Sequence, residues 1–159
     1  MSLKERLNQE KVAAMKAVGA FRSEGSETLK VSAEIRLAAI RSVLSAITEE
    51  ETSGKERTEL NDEKVLSVIK RGVKQRTDSA EKYAAAGATA RQLREIAEIQ
   101  VLEEFVPSIL DENATRVLVK EIISDKKLEG RETLKGVMAA LSGRTDVNKG
   151  LVAKIVNGR

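Results

Sequence analysis

Residues 61–87 read NDEKVLSVIKRGVKQRTDSAEKYAAAG, and this stretch decides the fold class. Val65, Leu66, Ile69, Val73, Ala80, Tyr83 and Ala84 recur at steps that lay one apolar stripe along an α-helix. Asn61 is suited to cap its first turn, because a short side-chain oxygen can accept a backbone N–H there. Asp62 and Glu63 fall where the positive end of the helix dipole favours acids. Gly87 is suited to the left-handed residue that closes the helix. The stretch therefore predicts a helix from Asp62 to about Ala86.

The flanking sequence repeats this pattern in both directions. Before it, Leu3, Leu7, Val12, Met15 and Val18 predict a first helix over about 3–18, weakened at its end by Gly19. Phe21–Ser32, with Gly25 and three serines, reads as a connection. A second helix over about 33–51 carries Leu37, Ile40, Val43, Leu44 and Ile47. After it, Thr89 and Gln92 form a capping-box pattern opening a fourth helix with the stripe Leu93, Ile96, Ile99, Leu102 and Phe105. Pro107 ends that helix by biasing Val106 out of the α region, and Pro107–Leu110 is the expected boundary between two lobes. Asp111 caps a fifth helix to about Ser124, with Val117, Leu118, Ile122 and Ile123 inward. A sixth helix covers about 132–141, in which Gly136 is expected to mark close helix–helix approach. Asp146 is expected to cap a last helix that Gly158 ends. No strand-like alternation occurs. The fold class expected is all-α in two lobes: an N-terminal helical bundle, 1–106, and a smaller three-helix C-terminal domain, 107–159.

Composition narrows the chemistry. The 159 residues include no histidine and no cysteine, and the aromatics are Phe21, Tyr83 and Phe105. The side chain that titrates near neutrality by default and the usual thiolate are both missing, so no catalytic residue, cofactor or metal site is expected. No apolar run approaches the roughly 20 residues that span a bilayer, and the N-terminus lacks a signal-type stretch. A cytoplasmic protein without a membrane partner is expected. Residues 1–95 hold 18 Lys and Arg against 15 Asp and Glu, and residues 96–159 hold 10 against 10. On that division an acidic partner is expected to meet the first part.

A few clusters bear on function. Glu49, Glu50 and Glu51 diverge by about 100° each on a helix and read as a solvated end. Glu103 and Glu104 also diverge, and one of them is expected to cap or to bridge the lobe boundary. Lys70, Arg71, Lys74 and Arg76 form a basic band on the third helix. Such a run is ordinarily a solvated face, here balanced by Asp78 and Glu81; a partner phosphate is the alternative that relieves its repulsion. Gly143-Arg144-Thr145-Asp146 is a capped turn or a second anion contact. No phosphate loop, dinucleotide fingerprint or zinc signature occurs. Without an aromatic platform, RNA recognition would run through backbone, 2′-hydroxyl and shape.

The order of several segments then becomes informative. Val68-Ile69-Lys70-Arg71-Gly72-Val73-Lys74-Gln75-Arg76 is followed by Tyr83-Ala84-Ala85-Ala86-Gly87, by Glu95 and Glu98, and by Val101-Leu102-Glu103-Glu104-Phe105-Val106-Pro107. Together with Ser2–Leu7, Arg36–Ile47, Val137–Leu141 and Gly143–Asp146, this closely resembles the YqeY-like (GatB/YqeY) family over nearly the whole chain. The resemblance implies an all-α protein whose C-terminal lobe is similar to the GatB tail domain of aspartyl/glutamyl-tRNA amidotransferase, the part that contacts tRNA. It also implies kinship with carbon–nitrogen ligases that use glutamine as amido donor, although nothing like their catalytic parts is present here. The chain departs from the family pattern at Ser142, which alone separates Leu141 from Gly143. It also departs at Val147, at the displaced Gly136 and in the long Phe21–Ser32 stretch.

With that resemblance, the expectation is a non-catalytic accessory protein of tRNA metabolism. Lys70, Arg71, Lys74 and Arg76, with Lys135, Arg144, Lys149 and Lys154, are the cations expected to meet phosphates. The partners expected are tRNA and an aminoacyl-tRNA synthetase or amidotransferase. The alternative is a protein–protein adaptor that docks on a synthetase or another translation partner through the first helix and Phe21–Ser32.

Overall fold

The structure is a computed structural model that describes residues 1–158. Seven helices follow in order: α1 Leu3–Glu24, α2 Glu27–Thr52, α3 Asp62–Ala85, α4 Thr89–Glu103, α5 Glu112–Lys126, α6 Glu132–Ala140 and α7 Lys149–Asn157. No strand occurs among the described residues, so the fold is all-α. Its contacts divide into two compact units, Met1–Val106 and Pro107–Arg159.

In the N-terminal unit, α2 is the central element: it packs on α1, α3 and α4, while α3 and α4 pair with each other. Leu7 from α1, Ile40, Val43 and Ile47 from α2, Val65 and Ile69 from α3, and Leu102 and Phe105 from the end of α4 are all buried in one aliphatic core. Gly87, at φ 71°, turns α3 into α4. The N–H of Ala88 donates back to the Tyr83 carbonyl at 2.9 Å, closing the helix end as the glycine predicted.

The connection expected over Phe21–Ser32 is two residues long. α1 runs on past Gly19 to Glu24, and α2 begins at Glu27. Gly25, at φ 72°, sits where an L side chain would be strained, and both it and Ser26 donate to the Phe21 carbonyl. A glycine inside a helix costs roughly 1 kcal/mol relative to alanine; packing of α1 along α2 outweighs that at Gly19. The four-helix unit thus opens with a tight α-hairpin rather than a long loop.

In the C-terminal unit α5, α6 and α7 all touch one another. Val119, Val137, Leu141, Val152, Ile155 and Val156 form its core. Leu110, in the expected linker, belongs to it: its N–H donates to the Asp146 carbonyl at 2.8 Å. Gly136 does mark a close approach, but to the loop residue Leu128 rather than to another helix. A Cβ at Gly136 would lie 2.6 Å from Leu128 Cδ2.

Three more expectations need correction. Thr89 does not cap α4; Ala88 precedes that helix, without a side-chain cap bond. Asp146 does not cap α7, because Asn148 accepts the Leu151 N–H at 3.1 Å and Asp146 is bound to Arg144. Some predicted core residues face outward: Val117 is 56% exposed and Leu93 59%. At 100° per residue Val117 lies across α5 from buried Thr115 and Val119. Leu93 and Ile96 lie on turns of α4 before the stretch that shares a groove with α2, which is Ala97, Gln100, Val101 and Glu104.

Candidate nucleic-acid interface

The structure separates the predicted cations by whether an acid already holds them. Lys70 and Lys74 are exposed on α3 with no carboxylate partner among the described residues. Arg71 is bound to Glu50 at 2.7 Å. Arg76 is not on the basic face: its side chain is 11% exposed, pairs with Glu98 at 2.8 Å and donates to the Gly72 carbonyl at 3.2 Å. It joins α3 to α4, so the band of four reduces to two uncompensated lysines. Asp78 and Glu81 make no ion pair with either of them.

In the C-terminal unit, Arg144 grips Asp146 through two bonds of 2.9 and 2.6 Å. That bond to Arg144 holds the Asp146 carboxyl below its ordinary range. The arginine thus staples a turn, and its fork is already filled. Lys135 is almost fully exposed and only 4.0 Å from Glu132, a loose pair. Lys149 opens α7. Lys154 is exposed in the last turn of α7 without an ion pair among the described residues.

The sequence reading missed Lys120, Lys126, Lys127 and Arg131, all exposed and all without a carboxylate partner among the described residues. Lys126 ends α5, and Lys127 and Arg131 lie in the turn between α5 and α6. Lys127 is the only non-glycine among the described residues with positive φ, at 50°. Helices usually place glycine or asparagine at this position, because an L side chain there crowds the backbone. The Lys126-Lys127 doublet was the available sequence signal, but a doublet does not reveal which acids lie within reach.

Dividing the chain at the structural boundary reverses the expected charge asymmetry. Residues 1–106 hold 18 Lys and Arg against 18 Asp and Glu, and residues 107–159 hold 10 against 7. The whole excess of three lies in the C-terminal unit. A division at residue 95 falls inside α4 and leaves three acids of the N-terminal unit on the wrong side.

Within the acidic clusters, Glu50, Glu51 and Glu104 hold cations, while Glu49 and Glu103 are exposed. Glu51 is not solvated: it is fully buried, takes the Lys4 ammonium at 2.6 and 2.9 Å, and accepts the Leu60 N–H at 3.2 Å and Arg57 at 3.4 Å. The bond from Lys4, then that from Leu60, hold its carboxyl below the ordinary value. Glu104 does not bridge the unit boundary; it binds Arg36 at 2.7 Å, which also binds Glu10 at 2.8 Å, inside the N-terminal unit.

The architecture therefore defines an all-helical, two-unit protein with aliphatic cores, structural acids and uncompensated surface cations. A family model described as Yqey-like protein matches residues 4–158, and the chain belongs to that family. No curated protein matches the chain. No helix among the described residues is long and apolar enough to cross a membrane.

Proposed function

We propose that this protein binds tRNA through its phosphate backbone, as an accessory to tRNA-dependent amidation or aminoacylation in the cytoplasm, with the C-terminal unit leading the contact. The observation that carries this reading is the location of the entire charge excess in that unit, on lysines and an arginine that no acid among the described residues neutralises. Lys120, Lys126, Lys127, Arg131 and Lys154 provide donors for phosphate oxygens, and Lys70 and Lys74 add a smaller contact on α3. Recognition follows backbone and shape because the three aromatics form no stacking platform: Phe105 is buried, Tyr83 is engaged by Arg91 at 5.9 Å, and Phe21 stands alone and half-buried at a groove of the N-terminal unit. Membership in the Yqey-like family, with its resemblance to the amidotransferase tail, supports tRNA over other polyanions.

An electrophoretic shift series with total tRNA at increasing salt tests this. Each phosphate contact contributes about 0.9 to the slope of log affinity against log salt. Reversing Lys126, Lys127 and Arg131 together is expected to lower that slope by roughly two to three, about 0.9 for each phosphate released. Reversing Lys70 and Lys74 is expected to lower it less. No shift at low salt, or a slope unchanged by the triple reversal, would refute the reading.

A second reading rests on a different surface. Phe21, Leu29 and Val31 border an open groove between α1, α2 and α4. Leu29 and Val31 are exposed, as are Val12 and Met15 of α1. This arrangement suits a helical adaptor contact with a translation partner. A partner retained after nuclease treatment, and lost on Leu29→Glu, would favour it over RNA binding.

A further inference from the structure

The α1–α2 hairpin has a second open cleft, of about 540 Å³, whose lining differs from the apolar groove. Lys4, Asn8 and Lys11 reach it from one face of α1, at spacings of four and three. Arg41, Ser45 and Thr48 reach it from one face of α2, also at spacings of four and three. Arg57 closes one end from the loop after α2. The lining contains four cations and two hydroxyls and no acid.

Glu51, buried beneath, is the one carboxylate among the described residues bonded to this lining, and it engages Lys4 and Arg57. It offsets one of the four charges and holds Lys4 in place through two short bonds, while Arg57 touches it once, at 3.4 Å. Lys11 has only the Asn8 side-chain oxygen, at 3.4 Å. Arg41 is exposed and makes no ion pair among the described residues. The other side of the same hairpin is built in the opposite way: Arg36 there lies between two carboxylates, Glu10 and Glu104. The hairpin's cation is thus neutralised on the side that faces α4, while Lys11 and Arg41 on the other side have no carboxylate partner among the described residues.

We infer that the α1–α2 cleft binds a phosphate group, with Lys11 and Arg41 as its free cationic donors, Lys4 as a cation preset by Glu51 and Arg57 as an exposed cation at one end. An arginine fork and a lysine ammonium are suited to phosphate oxygens, and Ser45 adds a hydroxyl donor, whereas the Thr48 hydroxyl donates to the Leu44 carbonyl at 3.0 Å. The volume suits a phosphate together with what it is attached to. The source is a nucleic-acid backbone or a free pyrophosphate-like molecule. This inference does not rest on the C-terminal unit, since the cleft lies in the unit whose formal charge is zero.

The test is an amide NMR titration of the full chain with sodium pyrophosphate against sodium chloride at matched ionic strength. Shifts are expected at Asn8, Lys11, Arg41, Ser45 and Thr48 beyond those in chloride. The Lys11→Gln/Arg41→Gln pair, which leaves the Glu51 network intact, is expected to weaken the response at least tenfold. Lys126→Glu/Lys127→Glu is expected to leave it unchanged even where it weakens tRNA binding, which separates this site from the proposed tRNA surface. A parallel titration with total tRNA identifies the source: the same resonances moving, with a lower salt slope in the Lys11→Gln/Arg41→Gln protein, assigns the phosphate to RNA. Movement with pyrophosphate alone assigns it to a small phosphate. If neither probe exceeds matched chloride, or the double variant responds like the parent, the site does not exist.

Discussion

At the scale of single residues, small positions carry large consequences. Gly136 has no room for a Cβ beside Leu128. Gly136→Ala is expected to destabilise the C-terminal unit by about 1 kcal/mol, the overpacking exceeding the gain in helix propensity. In a Leu128→Ala background the clash is gone, and the same change is expected to stabilise by up to about 1 kcal/mol. Denaturant melts of the four proteins check the change of sign. On the proposed reading, Lys127 trades stability for tRNA binding. Lys127→Gly should relieve its left-handed backbone and stabilise by roughly 0.5–1 kcal/mol, while removing one phosphate contact and lowering the tRNA salt slope by about 0.9. A variant that gained stability and kept the full slope would place Lys127 outside the interface.

Glu51 sets a pH dependence with a definite sign. Its carboxyl is held below its ordinary value of 4.5 in the folded chain, so the unfolded chain binds more protons in that range. Its stabilising contribution is present above that value and is lost as pH falls through the lower folded one. Melting temperature is therefore expected to drop in acid, and Glu51→Gln is expected to reduce the proton uptake on unfolding there by up to about one. Thermal melts of both proteins from about pH 7 to about pH 3 read this directly.

At the scale of the element, the caps show how far local sequence reaches. Asn61 and Asp111 cap α3 and α5 as their positions predict, each accepting an N–H three residues on, at 3.0 and 2.8 Å. Near α7 the sequence pointed to Asp146, yet Asn148, two residues on, is the cap. Asp146 instead engages Arg144. Asn148→Ala is accordingly expected to cost about 1 kcal/mol. Asp146→Ala, which removes a partly exposed ion pair, is expected to cost less than about 1 kcal/mol. Urea titrations of both rank them. The Phe21–Ser32 segment marks the limit of reading by composition. Its glycine and serines look like a loop, but only Gly25 adopts the conformation that needs glycine; the rest is helical, apart from Ser26, because α1 and α2 lie against each other.

At the scale of the whole molecule, charge matters by unit rather than by chain. A net charge of +3 on 159 residues is modest. Confined to the 53 residues of the C-terminal unit, the same charge makes that unit basic while the other is formally neutral. The salt dependence of tRNA binding is the measurement that belongs to this scale, because it counts phosphate contacts without needing to know which bases are near.

The sequence alone determined that the chain is helical throughout, where most helices begin and end, and which family it belongs to. These follow from periodicity, caps and the order of short motifs, all written within a few turns of chain. It did not determine which charges are free. Arg76 and Lys74 are two residues apart on one helix, yet Glu98 of α4 takes the first and no acid among the described residues takes the second. Glu51 looks like a solvated helix end, yet Lys4, 47 residues earlier, draws it into the interior. Only the tertiary structure decided these, because an ion pair forms between residues the chain brings together in space, and its partner can come from any distance along the sequence.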